Sequence, residues 1–107
     1  MANSHLDKPA TLADLVDYQT GSVVSQALVK ARAGTVTVFA FDEGEGLSEH
    51  TAPFDALLNV IEGRAGVRVG GVDHTLSAGD IILLPANVPH AVQAVERFKM
   101  MLIMIRE

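Results

Sequence analysis

The stretch Val67-Arg-Val-Gly-Gly-Val-Asp-His-Thr-Leu-Ser-Ala-Gly-Asp-Ile-Ile-Leu-Leu-Pro-Ala-Asn-Val-Pro-His90 sets three turn signals between short apolar runs. Val67–Val69 and Val72–Leu76 alternate apolar and polar residues, and Gly70-Gly71 between them has the composition of a two-residue hairpin turn. Ser77-Ala-Gly-Asp80 turns the chain again, Ile81–Leu84 reads as a strand stopped by Pro85, and Asn87–Pro89 forms another turn before His90. Strands this short, joined by turns this tight, run antiparallel. A parallel pair needs a crossover of about a dozen residues or more, and no such length is present.

The pattern continues on both sides. Towards the C-terminus, His90–Val95 and Phe98–Ile105 are two further strands. In the last one Phe98, Met100, Leu102 and Met104 share one face, while Met101, Ile103 and Ile105 share the other, so both faces are apolar. Towards the N-terminus, Glu62-Gly63-Arg64 is a turn and Leu57–Ile61 is apolar on both faces except at Asn59. Asp42–Gly46 is a loop by composition. In Thr35–Phe41 the residues Val36, Val38 and Ala40 face one way, and Thr35, Thr37, Phe39 and Phe41 the other. Val23, Val24 and Val29 carry the β pattern back to Ser22. About eight short strands, with turn signals about every ten residues, predict an all-β sandwich or barrel. Ahead of them, Thr11-Leu-Ala-Asp14 is close to a capping box, and Leu12, Leu15 and Val16 follow at helical spacing. This predicts a short helix over 11–20, stopped by Gly21, after a tail of residues 1–10 and before a β-barrel over 22–107. No repeat or linker interrupts the chain, which reads as a single domain over 1–107.

Composition narrows the function classes. The chain has 107 residues with a formal net charge of −5, and its tightest basic cluster is Lys30-Ala-Arg32. That argues against a nucleic-acid partner and against polybasic membrane attachment. With no cysteine, disulfides, thiolate metal sites and cysteine nucleophiles are excluded. The N-terminus has no apolar signal region and no run approaches the ~18 residues of a membrane span, so a cytoplasmic protein is expected. A hydrophobic fraction of 49% with only 5% aromatic residues calls for a mostly aliphatic core.

Two spacings carry a family resemblance. Gly44, five residues, His50 and later Gly63 fall in register with the motif G-x5-H-x-H-x3,4-E-x6-G. Gly79, five residues, Pro85 and then His90 fall in register with G-x5-P-x-G-x2-H-x3-N. The segment Gly44–Ala94 thus resembles the two motifs of the cupin family. The resemblance implies a cupin jelly-roll barrel, or double-stranded β-helix, with a site at one end of the barrel. In most metal-binding cupins the first motif supplies two histidines and a glutamate and the second a third histidine. Here Ala52 and Ala56 stand at the second histidine and glutamate positions, and Asn87 and Ala94 at the second motif's glycine and asparagine positions.

Of four implied ligands, His50 and His90 remain. A divalent cation usually takes three or more donors, commonly with one carboxylate, so two neutral imidazoles fall short. Asp55 would complete a two-histidine, one-carboxylate face if the chain bulged near Pro53. Strict alternation turns it away, and it then caps a turn between strands. The cofactor stays open between none and a divalent transition metal such as Fe, Mn, Ni, Cu or Zn. Glu49 reads as a surface charge, His74 as a half-buried hairpin histidine on the face of Val72 and Leu76, and His5 as part of the tail.

The expected function is therefore small-molecule binding in a pocket holding His50 and His90 and walled by Phe39, Phe41, Phe54, Leu58 and Met100. The two imidazoles could act as general acid and base, or bind a ligand carboxylate when protonated. The alternative is a metal-dependent enzyme of dioxygenase or isomerase type using His50, His90 and a third donor. A purely structural role is the third reading. A homodimer is expected, because edge strands need cover, the region Ser22–Arg32 can pair across a twofold axis, and the last strand is apolar on both faces. Gly44-Glu-Gly46 and Gly70-Gly71 are turn glycines, not nucleotide motifs.

Overall fold

The computed structural model describes residues 6–106. Nine strands follow in order: β1 (Val23–Ala31), β2 (Gly34–Phe41), β3 (Gly46–His50), β4 (Asp55–Glu62), β5 (Arg64–Val69), β6 (Val72–Ser77), β7 (Ile81–Leu84), β8 (His90–Ala94) and β9 (Phe98–Ile105). They form a five-stranded sheet, β1-β2-β9-β4-β7, and a four-stranded sheet, β3-β8-β5-β6. Every pairing is antiparallel. Two antiparallel sheets with this strand exchange make a jelly roll, as the turn spacing predicts.

The face assignments follow strand alternation. Phe41, Leu58, Val60, Val67, Val92, Phe98 and Met100 fill the space between the sheets. Phe41 and Phe98 are register partners on adjacent strands, and their rings stack 4.4 Å apart with 9° between planes. Such a pair adds about 0.5–1.5 kcal/mol beyond its buried area. Val38 and Ala40, on the other face of β2, are completely buried in a second cluster with Val16 and Leu28. Part of the outer face of the five-stranded sheet is thus covered as well.

That cover is the N-terminal segment, and it is not the expected helix. Only Leu12–Asp14 is helical, as a single 3-10 turn, and Thr11 makes no side-chain cap. The backbone bonds are Asp14 N–H to Thr11 O and Leu15 N–H to Leu12 O. Ala13 O instead accepts a hydrogen bond from Lys99 Nζ at 2.5 Å, which competes with the bond a continuing helix would need. A helix this short is not stable by itself, so contacts with the sheet decide the backbone. Leu6, Leu12, Leu15 and Tyr18 pack on the second cluster, which makes part of the expected tail a strap across the sheet.

Polar contacts pin this strap. Tyr18 Oη donates to Glu62 Oε2 at 2.7 Å, and the Arg97 and Lys99 cations lie 5.1 and 4.9 Å from the Tyr18 ring centre. Burial first, then the Glu62 carboxylate, push the Tyr18 phenol well above its ordinary range. Asp42 accepts the Gly21 N–H at 2.7 Å and pairs with Arg97 at 2.8 Å. These donors hold its carboxyl at about 2, the Gly21 amide contributing most. A register shift between Val60 and Glu62 explains how both Ile61 and Glu62 reach the strap side.

The strand β3 lies in a segment that carries little β-propensity. It is an edge strand with a single partner, β8, and the pairing, not its composition, makes it a strand. At the turn after β4, Gly63 has φ 79°, and a Cβ there would collide with the Arg97 carbonyl and the Phe98 backbone. Gly63→Ala is expected to cost about 2 kcal/mol or more in urea unfolding, whereas Gly66→Ala, whose Cβ meets nothing closer than 3.7 Å, gains roughly 0.5–1 kcal/mol. Equal effects of the two variants would refute this account of the turn.

Candidate functional site

His50 ends β3 and His90 begins β8, and the two are direct register partners. On β8, His90, Val92 and Ala94 are buried while Gln93 is exposed, so His90 points between the sheets. Leu47 opposes Val92, which puts Leu47 on the same inner face. Simple alternation from Leu47 would turn Glu49 inward and His50 outward. The register shift between Leu47 and His50 adds one residue to β3 and brings His50 round to His90. One bulge therefore makes the pair.

The rings meet edge to face, with centroids 4.3 Å apart and 68° between planes. His50 Nε2 and His90 Nε2 are 3.1 Å apart. On the far side of each ring, Nδ1 meets a backbone carbonyl two residues earlier: Ser48 O at 2.7 Å for His50 and Val88 O at 3.2 Å for His90. A carbonyl only accepts, so both Nδ1 atoms carry hydrogen and donate. The neutral rings then turn both Nε2 lone pairs towards each other.

The carbonyl under His90 is well fixed. The loop between β7 and β8 is tied by Asn87 N–H to Ala52 O at 2.7 Å, by Ala86 N–H to Asp55 Oδ1 at 2.8 Å, and by Gly70 N–H to Pro89 O at 2.8 Å. Asn87 has φ 65°, the one non-glycine residue with positive φ among those described. It stands at the glycine position of the second motif, and asparagine is among the residues that best tolerate this conformation. His90 is 7% exposed. Burial lowers its pKa below the ordinary 6.5, the Val88 carbonyl works against that shift, and the His50 charge adds to it.

The other expected site residues separate into groups. Asp55 spends a carboxylate oxygen on the Ala86 amide and does not join the histidines; among the described residues no three His, Cys, Asp or Glu side chains gather to hold a metal. Ala56, at the lost glutamate position, faces the core beside Leu84 and Met104. Two converging imidazoles, with alanines at two of the other ligand positions, supply fewer donors than the three or more a divalent cation usually takes. Phe41, Leu58 and Met100 are completely enclosed in the core. Phe39 is half-buried against that core, and Phe54 is half-buried with the Arg106 guanidinium 5.4 Å from its ring centre. His74 lies on edge strand β6 and is exposed rather than half-buried, as is Glu49 on β3.

Two features escaped the sequence reading. The carbonyls of Ser48 and Val88 set the tautomers, and backbone groups leave no signature in residue identity. An open groove of about 560 Å³ also crosses the four-stranded sheet between Gly46, Ser48, Gly66, Arg68, Asp73 and Gln93, away from the paired ring nitrogens.

Comparison with known proteins places this geometry. A family model described as a cupin domain matches residues 37–106. A conserved protein of unknown function from Streptococcus pyogenes superposes with a TM-score of 0.89 at 30% identity, over 94% of this chain and 88% of that one. A cupin superfamily protein from Desulfitobacterium hafniense gives 0.90 at 29% identity, over 94% and 93%. A cupin 2 conserved barrel domain protein from Leptotrichia buccalis gives 0.86 at 42% identity, over 89% of this chain and 46% of that one. Among curated protein sequences nothing matches.

The lowered pKa of His90 has a stability consequence. The fold favours the neutral ring, so its contribution is fully present above about pH 6.5 and is lost as pH falls through the lowered folded value. Melting temperature is expected to fall on acidification below pH 6.5, with a shallower fall for His90→Gln. Parallel curves for parent and variant in circular dichroism melts would contradict it.

Proposed function

The chain belongs to the cupin family, and from that premise we propose that it binds a small organic anion at the barrel mouth between His50 and His90. One observation carries this reading: both Nδ1 atoms are committed to carbonyls, so all remaining chemistry of the pair converges on the two Nε2 atoms 3.1 Å apart. With one added proton, one Nε2–H donates to the other Nε2. With two, a pair of charge-assisted donors faces a single point, which suits a carboxylate. No third acidic or histidine side chain gathers with them among the described residues, so a bound anion supplies the missing counter-charge. Half-buried Phe39, Leu47, Val69, Leu102 and Met104, packed on the core, give the inner face an apolar surround.

The alternative is a metal-dependent enzyme of dioxygenase or isomerase type. The 3.1 Å nitrogen spacing favours it, since two imidazoles on one cation at about 2.0–2.1 Å stand about that far apart. The donor count opposes it, with Ala52 and Ala56 where further ligands would be.

Titration calorimetry with acetate, oxalate and succinate at pH 5.5 and 8 tests the proposal. Binding is expected to be at least about tenfold tighter at the lower pH, and to be lost in the His50→Ala, His90→Ala double variant. Affinity that ignores both pH and the double variant would refute it. Near-stoichiometric metal in untagged protein, absent from the double variant, would decide for the alternative.

A further inference from the structure

The layer opposite the two histidines is polar at one side and apolar at the other. Register pairs join Lys30 to Thr35, Thr35 to Met104, Met104 to Ala56 and Ala56 to Leu84, one row through β1, β2, β9, β4 and β7. Ala56 and Leu84 are buried in the core between the sheets, so this row faces inward. On the four-stranded sheet a second row runs from His50 to His90 to Val69. The short β3–β4 connection and the β7–β8 loop join the two rows, which therefore share one end of the barrel.

The polar side lies on β1 and β2. Thr35 and Thr37 are half-buried on the face that carries Phe39 and Phe41 farther in. Threonine suits a strand in any case, but at an inward position its hydroxyl still needs a hydrogen-bond partner. Ser25, Ala27 and Lys30, the inward residues of β1, are exposed, so the barrel is open along this side. The chain has a net charge of −5. Its two inward rows at the mouth nevertheless hold one amine, two imidazoles and no carboxylate. Asp55 lies on the opposite face of β4 from Ala56 and is spent on the Ala86 amide.

We infer that Lys30, with Thr35 and Thr37, is a second anchor for the ligand, which is a short dicarboxylate. This rests on the carboxylate site between His50 and His90 proposed above. One carboxylate takes the two Nε2 atoms. The other takes the Lys30 ammonium, whose flexible stem carries three donors, and the threonine hydroxyls. Facing sheets stand about 10 Å apart. Imidazoles from one layer and a lysine stem from the other cover most of that gap, which leaves room for a chain of a few carbons. Half-buried Met104, next to Thr35 in the row, gives those carbons an apolar surface.

Titration calorimetry of the full chain at pH 6.5 with malonate, succinate and glutarate, each beside its half-amide, tests the inference. The dicarboxylate of best length is expected to bind at least about tenfold tighter than its half-amide, which keeps one carboxylate and loses the other charge. Lys30→Met should abolish that preference and leave the half-amide affinity within about twofold, whereas Lys30→Arg should keep it. Equal affinity of acid and half-amide at all three lengths overturns the second anchor and leaves the histidine site standing. A preference that survives in Lys30→Met overturns it too, as does loss of the half-amide in that variant. Absence of binding by all six compounds overturns both the anchor and the histidine site it rests on.

Discussion

The structure turns on β9, a strand that cannot show either face to water. Phe98 and Met100 on one side and Met101 and Ile103 on the other require a layer above and a layer below. The inner requirement is met by the four-stranded sheet and the Phe41–Phe98 stack. The outer one is met over half its length by the N-terminal strap, which explains why Lys99, a β9 residue on that side, is buried. Its ammonium reaches the Ala13 carbonyl, lies 4.0 Å from Glu62 and sits over the Tyr18 ring. A buried cation held by three partners is tolerable, and removing one partner leaves it costly.

The site depends on a different device, irregularity rather than regularity. Both imidazoles sit at strand ends, and a bulge in an edge strand aims one of them. The loop that carries the Val88 carbonyl is tied to the β3–β4 connection, to β4 and to the β5–β6 hairpin, so the ring of His90 is oriented by three separate parts of the chain. Asp55 belongs to this scaffold. Its carboxylate positions the loop under His90, a role compatible with the turn-capping expected from alternation.

Against the family motifs, the glycine positions are kept as conformations and the ligand positions are lost as chemistry. Gly44, Gly63 and Gly79 have positive φ, and Asn87 adopts it in place of glycine. Where further ligands would stand, the chain has methyl groups, and Ala56 has been drawn into the core. What remains is a pair of rings whose tautomers are fixed by backbone and whose free nitrogens answer only to each other and to whatever enters between them.

The sequence by itself determined the layer structure. Turn signals and alternation in Val67–His90 fixed antiparallel sheets, and the motif spacing singled out His50 and His90. Both are local properties: a period of two and a turn composition need only a few neighbouring residues. The strap, the bulge and the fate of the pocket walls were decided by tertiary structure. Residues 11–18 have a helical spacing, yet Lys99, 86 positions away from Ala13, takes the carbonyl a helix would use. Phe41, Leu58 and Met100 look alike as core or as pocket, because hydrophobicity does not say whether the space beside a side chain is filled. The pairing of His50 with His90 was implied by the motifs, but the direction of their nitrogens came from two backbone carbonyls, and only the folded chain brings those into place.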